Sequence, residues 1–137
     1  MPYPKEAIIA LGNYLDTGSA KEFNYFTEKK YRELILVKEA LEGHDKAFDI
    51  LVKTKHMILA AFLSAIWEEK AALTFLIKHK SPEWAATAAA VNNDTEAANW
   101  LRKNQLEHYY TLAEKIKTFL KENKKSDLDF LYKSPFS

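Results

Sequence analysis

The 137-residue sequence has no cysteine. Disulfides, thiolate nucleophiles and cysteine-bound zinc are thereby excluded, and a reducing compartment is the natural fit. Glycine and proline are scarce, at three and four, and nearly all stand at segment ends, as suits helices joined by short turns. Net charge is only +1, so bulk charge alone recruits neither nucleic acid nor an anionic membrane. No apolar run approaches the roughly 18 residues of a membrane span. The apolar run at 7–11 is too short for the core of a signal peptide. The expectation is a cytoplasmic chain.

What the sequence does contain is a register of 25 residues. Leu51, Leu76 and Leu101 fall at this offset, as do Ala47, Ala72 and Ala97. So do Leu34, Leu59, Trp84 and Tyr109, then Leu41, Ile66, Val91 and Ile116. Ile50, Phe75 and Trp100 keep the same spacing, and the register expects them in the core as well. A fixed period of this size signals stacked supersecondary units that bury a continuous core only together. The expected fold is all-α and a single domain over 1–137: a short α-solenoid of about four antiparallel helical hairpins. A helical cap (1–18) precedes units at about 20–44, 45–69, 70–94 and 95–119, and a long C-terminal helix closes the series. First helices are predicted at 45–53, 70–79 and 95–103, and second helices at 56–67, 82–93 and from 105 onward. Ser19 with Glu22 reads as a capping box. Asp45, Ser81 before Pro82, Asn93 with Glu96, and Asn104 with Glu107 read as helix starts. Residues 126–137 read as a tail in which Ser126 and Asp127 open one more turn.

One stretch carries a family likeness. Leu36, Ala40, Gly43-His44, Ala47-Phe48 and Leu51-Val52 place Gly-His and the following apolar pairs as ankyrin repeats do. Ala86, Ala89-Ala90, Asn93-Asp94, Ala97-Ala98 and Leu101 keep that spacing with Asn in place of Gly. The pattern over about 7–116 resembles the helical part of an ankyrin repeat. The Thr-Pro-Leu-His motif is absent, and the period of 25 is about eight short of the ankyrin 33, the length of the hairpin finger. The resemblance implies protein binding without catalysis, by a surface other than those fingers.

Catalytic and metal patterns are missing. His44, His56, His79 and His108 form no pair at metal-ligand helix spacing, and His44-Asp45 has no histidine upstream of it. No serine sits in a nucleophile elbow, and the glycines cannot build a phosphate loop. No metal and no cofactor is expected, and the chain reads as a non-enzyme. Residues 56–67 and 84–93 contain no Asp, Glu, Lys or Arg. Such segments are central to a stack or covered by something, so Met57, Ala61, Ser64 and Trp67, continuing to Ala86 and Ala89, either pack tightly through their small residues or form a shallow apolar groove, the second candidate partner face. Lys38 interrupts an apolar stripe and is expected to snorkel.

Charge is sorted by turn. Lys30, Lys53, Lys55, Lys78, Lys80, Arg102 and Lys103 cluster where first helices pass to second helices, while Asp16, Glu42, Asp45, Glu68, Glu69, Asp94 and Glu96 gather at the opposite turns. Lys30, Lys55 and Lys80 read as helix starts, where a cation is mildly disfavoured, so function is the candidate reason for them. The expected role is a protein-interaction module, an adaptor, inhibitor or immunity-like protein, whose basic edge meets an acidic partner surface. The alternative is a nucleic-acid-binding helical protein using the same edge; the lack of aromatics interleaved with the cations, and an equal acidic edge that would repel the same polymer, weigh against it.

Overall fold

A computed structural model describes residues 3–123, and all the regular structure among them is helical. The elements are α1 (Lys5–Thr17), α2 (Ala20–Glu28), α3 (Arg32–Leu41), α4 (Asp45–Lys53), α5 (Met57–Ile66), α6 (Lys70–Lys78), α7 (Pro82–Val91), α8 (Thr95–Lys103) and α9 (Glu107–Glu122). Predicted helices agree to within a residue or two. The tail at 126–137, with its extra turn, lies outside the described residues.

Each turn is closed by the end of the helix before it. Tyr31, His56, Ser81 and Leu106 donate their backbone amides to the carbonyls of Phe26, Leu51, Leu76 and Leu101, at 2.8–2.9 Å. At the other end His44, Glu69 and Asp94 donate to Glu39, Ser64 and Ala89. These are the six-to-one bonds of Schellman turns, which need a left-handed residue one position earlier. The left-handed residues are Lys30, Lys55, Lys80 and Gln105 at one end, and Gly43, Glu68 and Asn93 at the other; Gly18, also left-handed, ends α1. Both series advance by 25.

This geometry corrects several sequence readings. Lys30, Lys55 and Lys80 do not begin helices; they terminate α2, α4 and α6, where the macrodipole favours a cation. Asn93 and Asn104 likewise finish turns or helices, and Asp94 is the residue whose carboxylate accepts the Ala97 amide, at 3.1 Å. His44 rather than Asp45 precedes α4. Ser19 bonds the Glu22 side chain instead of capping α2 with its own oxygen. Short turns dominated by C-terminal caps leave little room for N-cap chemistry.

The core follows one column of the register and rejects another. Phe26, Leu51, Leu76 and Leu101 are fully buried, and Leu34, Leu59, Trp84 and Tyr109 nearly so. Ile50 and Trp100, in contrast, are 43% and 39% exposed, and Phe75 is half-buried and stacked on His79. The expectation that this column is core was wrong. It lies about 100° around the helix from the leucines, on the flank facing solvent.

Packing runs α1–α3–α5–α7–α9 through successive helices, and the most extensive contact of all is α9 back onto α1. The stack therefore curls until its two ends meet. Between these, α2, α4, α6 and α8 each lie against the helices on either side of them in sequence. In α5, which packs on α3, α4, α6 and α7, every residue from Leu59 to Ile66 is buried. Inside, Trp84 meets Phe62, Tyr109 and Tyr3 edge-on, with centroids 4.8–6.3 Å apart. Lys38 snorkels as expected: its ammonium reaches Glu42 at 2.7 Å and lies 5.1 Å from the Tyr14 ring centroid. At the meeting of the ends, Lys115 bonds Asn13 and Asp16, at 2.9 and 2.8 Å. Its stem crosses Gly12, where a Cβ would stand 3.0 Å from the Lys115 Cδ.

Candidate functional site

The turns that carry Lys30, Lys55 and Lys80 converge on a cleft of about 730 Å³ at one end of the molecule. The helices α3, α5 and α7 start there, and Tyr3, just ahead of α1, also lines it. Tyr3 donates its hydroxyl to the Glu33 Oε2 at 2.6 Å and packs on Tyr31, with centroids 5.2 Å apart. Burial and that carboxylate push the Tyr3 phenol far above its ordinary pKa, so it stays a donor. Tyr31, Met57, Ile58, Leu59 and Trp84 supply apolar and aromatic walls, and His56 and His79 stand beside the lysines.

The seven predicted cations fall into two sets. Lys30, Lys55 and Lys80 line the cleft. Lys53, Lys78 and Lys103 are exposed on the last turns of α4, α6 and α8, outside the cleft lining. Arg102 lies 5.1 Å from the Tyr110 ring centroid and 3.7 Å from a Glu107 carboxylate oxygen. Among the described residues no ion pair engages any of the six lysines, whereas at the opposite end Lys38, Lys115 and Lys117 hold Glu42, Asp16 and Glu114. The basic end is uncommitted and the acidic end is partly satisfied internally.

The second candidate face is divided: its centre is packed core, while Met57, Trp67, Ala86 and Ala89 are partly exposed. Ala61 and Ser64 are fully buried in α5, and Trp67 packs on Phe48 with centroids 5.8 Å apart. Met57 lines the basic cleft. Ala86 and Ala89, the continuation of that face, join Leu73, Ile77 and Trp100 in lining a shallow groove of about 280 Å³.

Sequence reasoning missed the aromatic walls. Tyr31, His56 and Ser81 share one register position directly after the lysines, so the 25-residue offset could have marked that position as cleft lining, with a ring at the first two of the three. Tyr3 reaches Glu33 across 30 residues and had no local signal. The supposed lack of aromatics near the cations is also corrected, because Tyr31 and Tyr110 stand among them.

No three histidine, aspartate or glutamate side chains among the described residues are grouped so as to hold a metal. No described helix is long and apolar enough to cross a membrane. A smaller cavity of about 230 Å³ follows the α1–α9 seam, where His108 faces Lys5. Partial burial, then Lys5, lowers the His108 pKa below its ordinary 6.5. The folded state thus binds this proton less readily than the unfolded chain does. The contribution is intact above about pH 6.5 and is lost as pH falls through the folded value. Replacing His108 by Gln should flatten the decline in melting temperature below pH 6.5. An unchanged slope in a calorimetric pH series would refute this.

No family model matches the chain, and neither a curated protein nor a solved structure gives a significant match.

Proposed function

We propose that this protein is a non-catalytic interaction module that engages an acidic surface of a partner protein through its basic end. The observation that carries the reading is the convergence of Lys30, Lys55 and Lys80, from three successive turns, on one cleft without internal ion pairs. Local electrostatics favours a cation there, but the left-handed backbone offsets the gain. A cation at an exposed helix C-terminus gains about 0.3–1 kcal/mol. A left-handed conformation costs a residue with a side chain about 1–2 kcal/mol. Glycine avoids that strain at the expense of chain entropy worth about 0.4–1 kcal/mol. The two ranges overlap, so local energetics leaves lysine and glycine nearly level at these sites, and the repetition of the cation at all three is what asks for a reason.

The nucleic-acid reading loses one objection now that Tyr31 and Tyr110 stand among the cations. Carboxylates remain against it: Glu33 and Glu83 line the same cleft and Glu107 stands beside Arg102. A polyanion with a charge on every residue meets that repulsion throughout, whereas a protein surface can set its acids to avoid it.

The test is a variant with Lys30, Lys55 and Lys80 all changed to Gly. Denaturant unfolding should remain a single cooperative transition, with a stability between about 3 kcal/mol below and about 4 kcal/mol above that of the wild type. Capture of acidic partners from host extract, scored protein by protein against wild type, should fall sharply in the same variant. A variant that keeps its partners refutes the reading. One that instead loses only nucleic acid supports the alternative.

A further inference from the structure

Lys30, Lys55 and Lys80 stand at equivalent positions of turns leading into α3, α5 and α7, helices that pack side by side in that order. Neighbouring packed helices lie roughly 8–10 Å apart, so the three backbone sites advance along the cleft in steps of about that size. An extended polyproline-type chain rises about 3.1 Å per residue and returns to the same face every third residue, about 9.3 Å on. The two repeats match. A β-strand matches less well, because its same-face residues recur every 6.6–6.8 Å, at about 3.3–3.4 Å per residue. The walls suit the same ligand, since grooves that take polyproline-type chains are lined by aromatic side chains, and here the partly exposed Tyr3 and Tyr31 line the cleft with Trp84 buried behind them.

We infer that the cleft is a groove for an extended acidic peptide segment with a carboxylate at every third position and apolar residues between. This rests on the reading of the basic end as the partner-binding end, and it names which part of that end reads sequence. Charge complementarity selects the ligand's sign, because among the described residues no ion pair engages the three lining lysines, which outnumber the cleft's two carboxylates, Glu33 and Glu83. The centre of the cleft dominates. Glu33 and Glu83 occupy equivalent positions of α3 and α7, while the corresponding residue of α5 is Ile58. Lys55 therefore has an apolar neighbour in the lining where the flanking lysines have a carboxylate. Of those two carboxylates, Glu33 is already engaged by Tyr3.

The experiment uses the full chain and fluorescein-labelled peptides of about nine residues at physiological salt. One peptide carries Glu at every third position among Pro and Leu, a second carries the same composition with Glu at every second position, and a third has Gln for Glu. By anisotropy the first should bind about fivefold or more tighter than the second, and the third should not bind measurably. Lys55→Gln should weaken the first peptide about tenfold, while Lys103→Gln, outside the cleft, should change it less than about twofold. A chain with Trp67 and Trp100 both changed to Phe should report the peptide through Trp84 fluorescence. Equal binding of the two spacings, or indifference to Lys55→Gln, overturns the groove. If the triple Lys→Gly variant of the preceding section still loses its partners in that case, the basic-end reading survives without it. If the triple variant also keeps its partners, both fall. Duplex DNA bound more tightly than any peptide, or a second copy of the chain bound by its acidic end in sedimentation, also overturns the groove.

Discussion

A chain that starts at residue 19 should fail to fold cooperatively. In a linear helical stack, removing an end unit costs one interface and the remainder stays folded. Here α1 touches α2 and α3 on one side and α9 on the other. Its buried Ile8, Leu11, Tyr14 and Leu15 would be lost. The face of α9 that carries Leu112, Ile116 and Phe119 would lose its cover. Full burial of one such side chain contributes about 1.5–3 kcal/mol, and a domain's whole margin is about 5–15 kcal/mol. Several uncovered side chains exceed that margin. The truncated chain should show weak far-ultraviolet helicity and no sigmoidal urea transition. Adding a peptide of residues 1–18 should restore both, since its docking sites on α2, α3 and α9 are otherwise retained. A truncated chain that melts cooperatively near the full-length midpoint would mean that the contact between the ends is incidental.

That contact is also the largest thing the sequence concealed. Every turn was legible, because Gly18, Gly43, Ser81-Pro82 and the 25-residue offset mark local chemistry. The curvature that brings α9 onto α1 comes from small rotations at each helix crossing, and no residue pattern states their sum. The same limit applies to the cleft. Its lysines were found by their spacing, but Tyr3 and Trp84 join them only through the curl. Burial within a helix was half legible. The pattern of α5 correctly suggested a central helix, yet Ala61 and Ser64 looked like a face because small residues suit both tight packing and a groove. Enclosure by α3, α4, α6 and α7 decided it. Lys30, Lys55 and Lys80 were read as starts of helices because a turn of three residues has no visible boundary between one helix's end and the next one's beginning. The left-handed residue draws that boundary, and its conformation cannot be seen in a lysine.

Alanine at Leu51, Leu76 and Leu101 should cost a similar amount in each case, about 2–5 kcal/mol. All three side chains are fully buried, and all three carbonyls accept the amide that closes the following turn. Alanine leaves that backbone bond intact, so the loss isolates side-chain packing from turn geometry. Phe26, the corresponding residue of α2, should cost about 3–5 kcal/mol because a larger cavity remains. The preceding residue in each helix supplies the control. Alanine at Ile50 and Trp100, both more than one-third exposed, should cost about 1 kcal/mol or less, despite the greater bulk of tryptophan. Urea denaturation of the six variants, with slopes compared to confirm that the same surface unfolds, decides the matter. Equal costs at Leu101 and Trp100 would mean that α8 presents a different face from α4 and α6. Costs that fell steadily from Leu51 to Leu101 would mean that the C-terminal units are held more loosely than the contact of α9 with α1 requires.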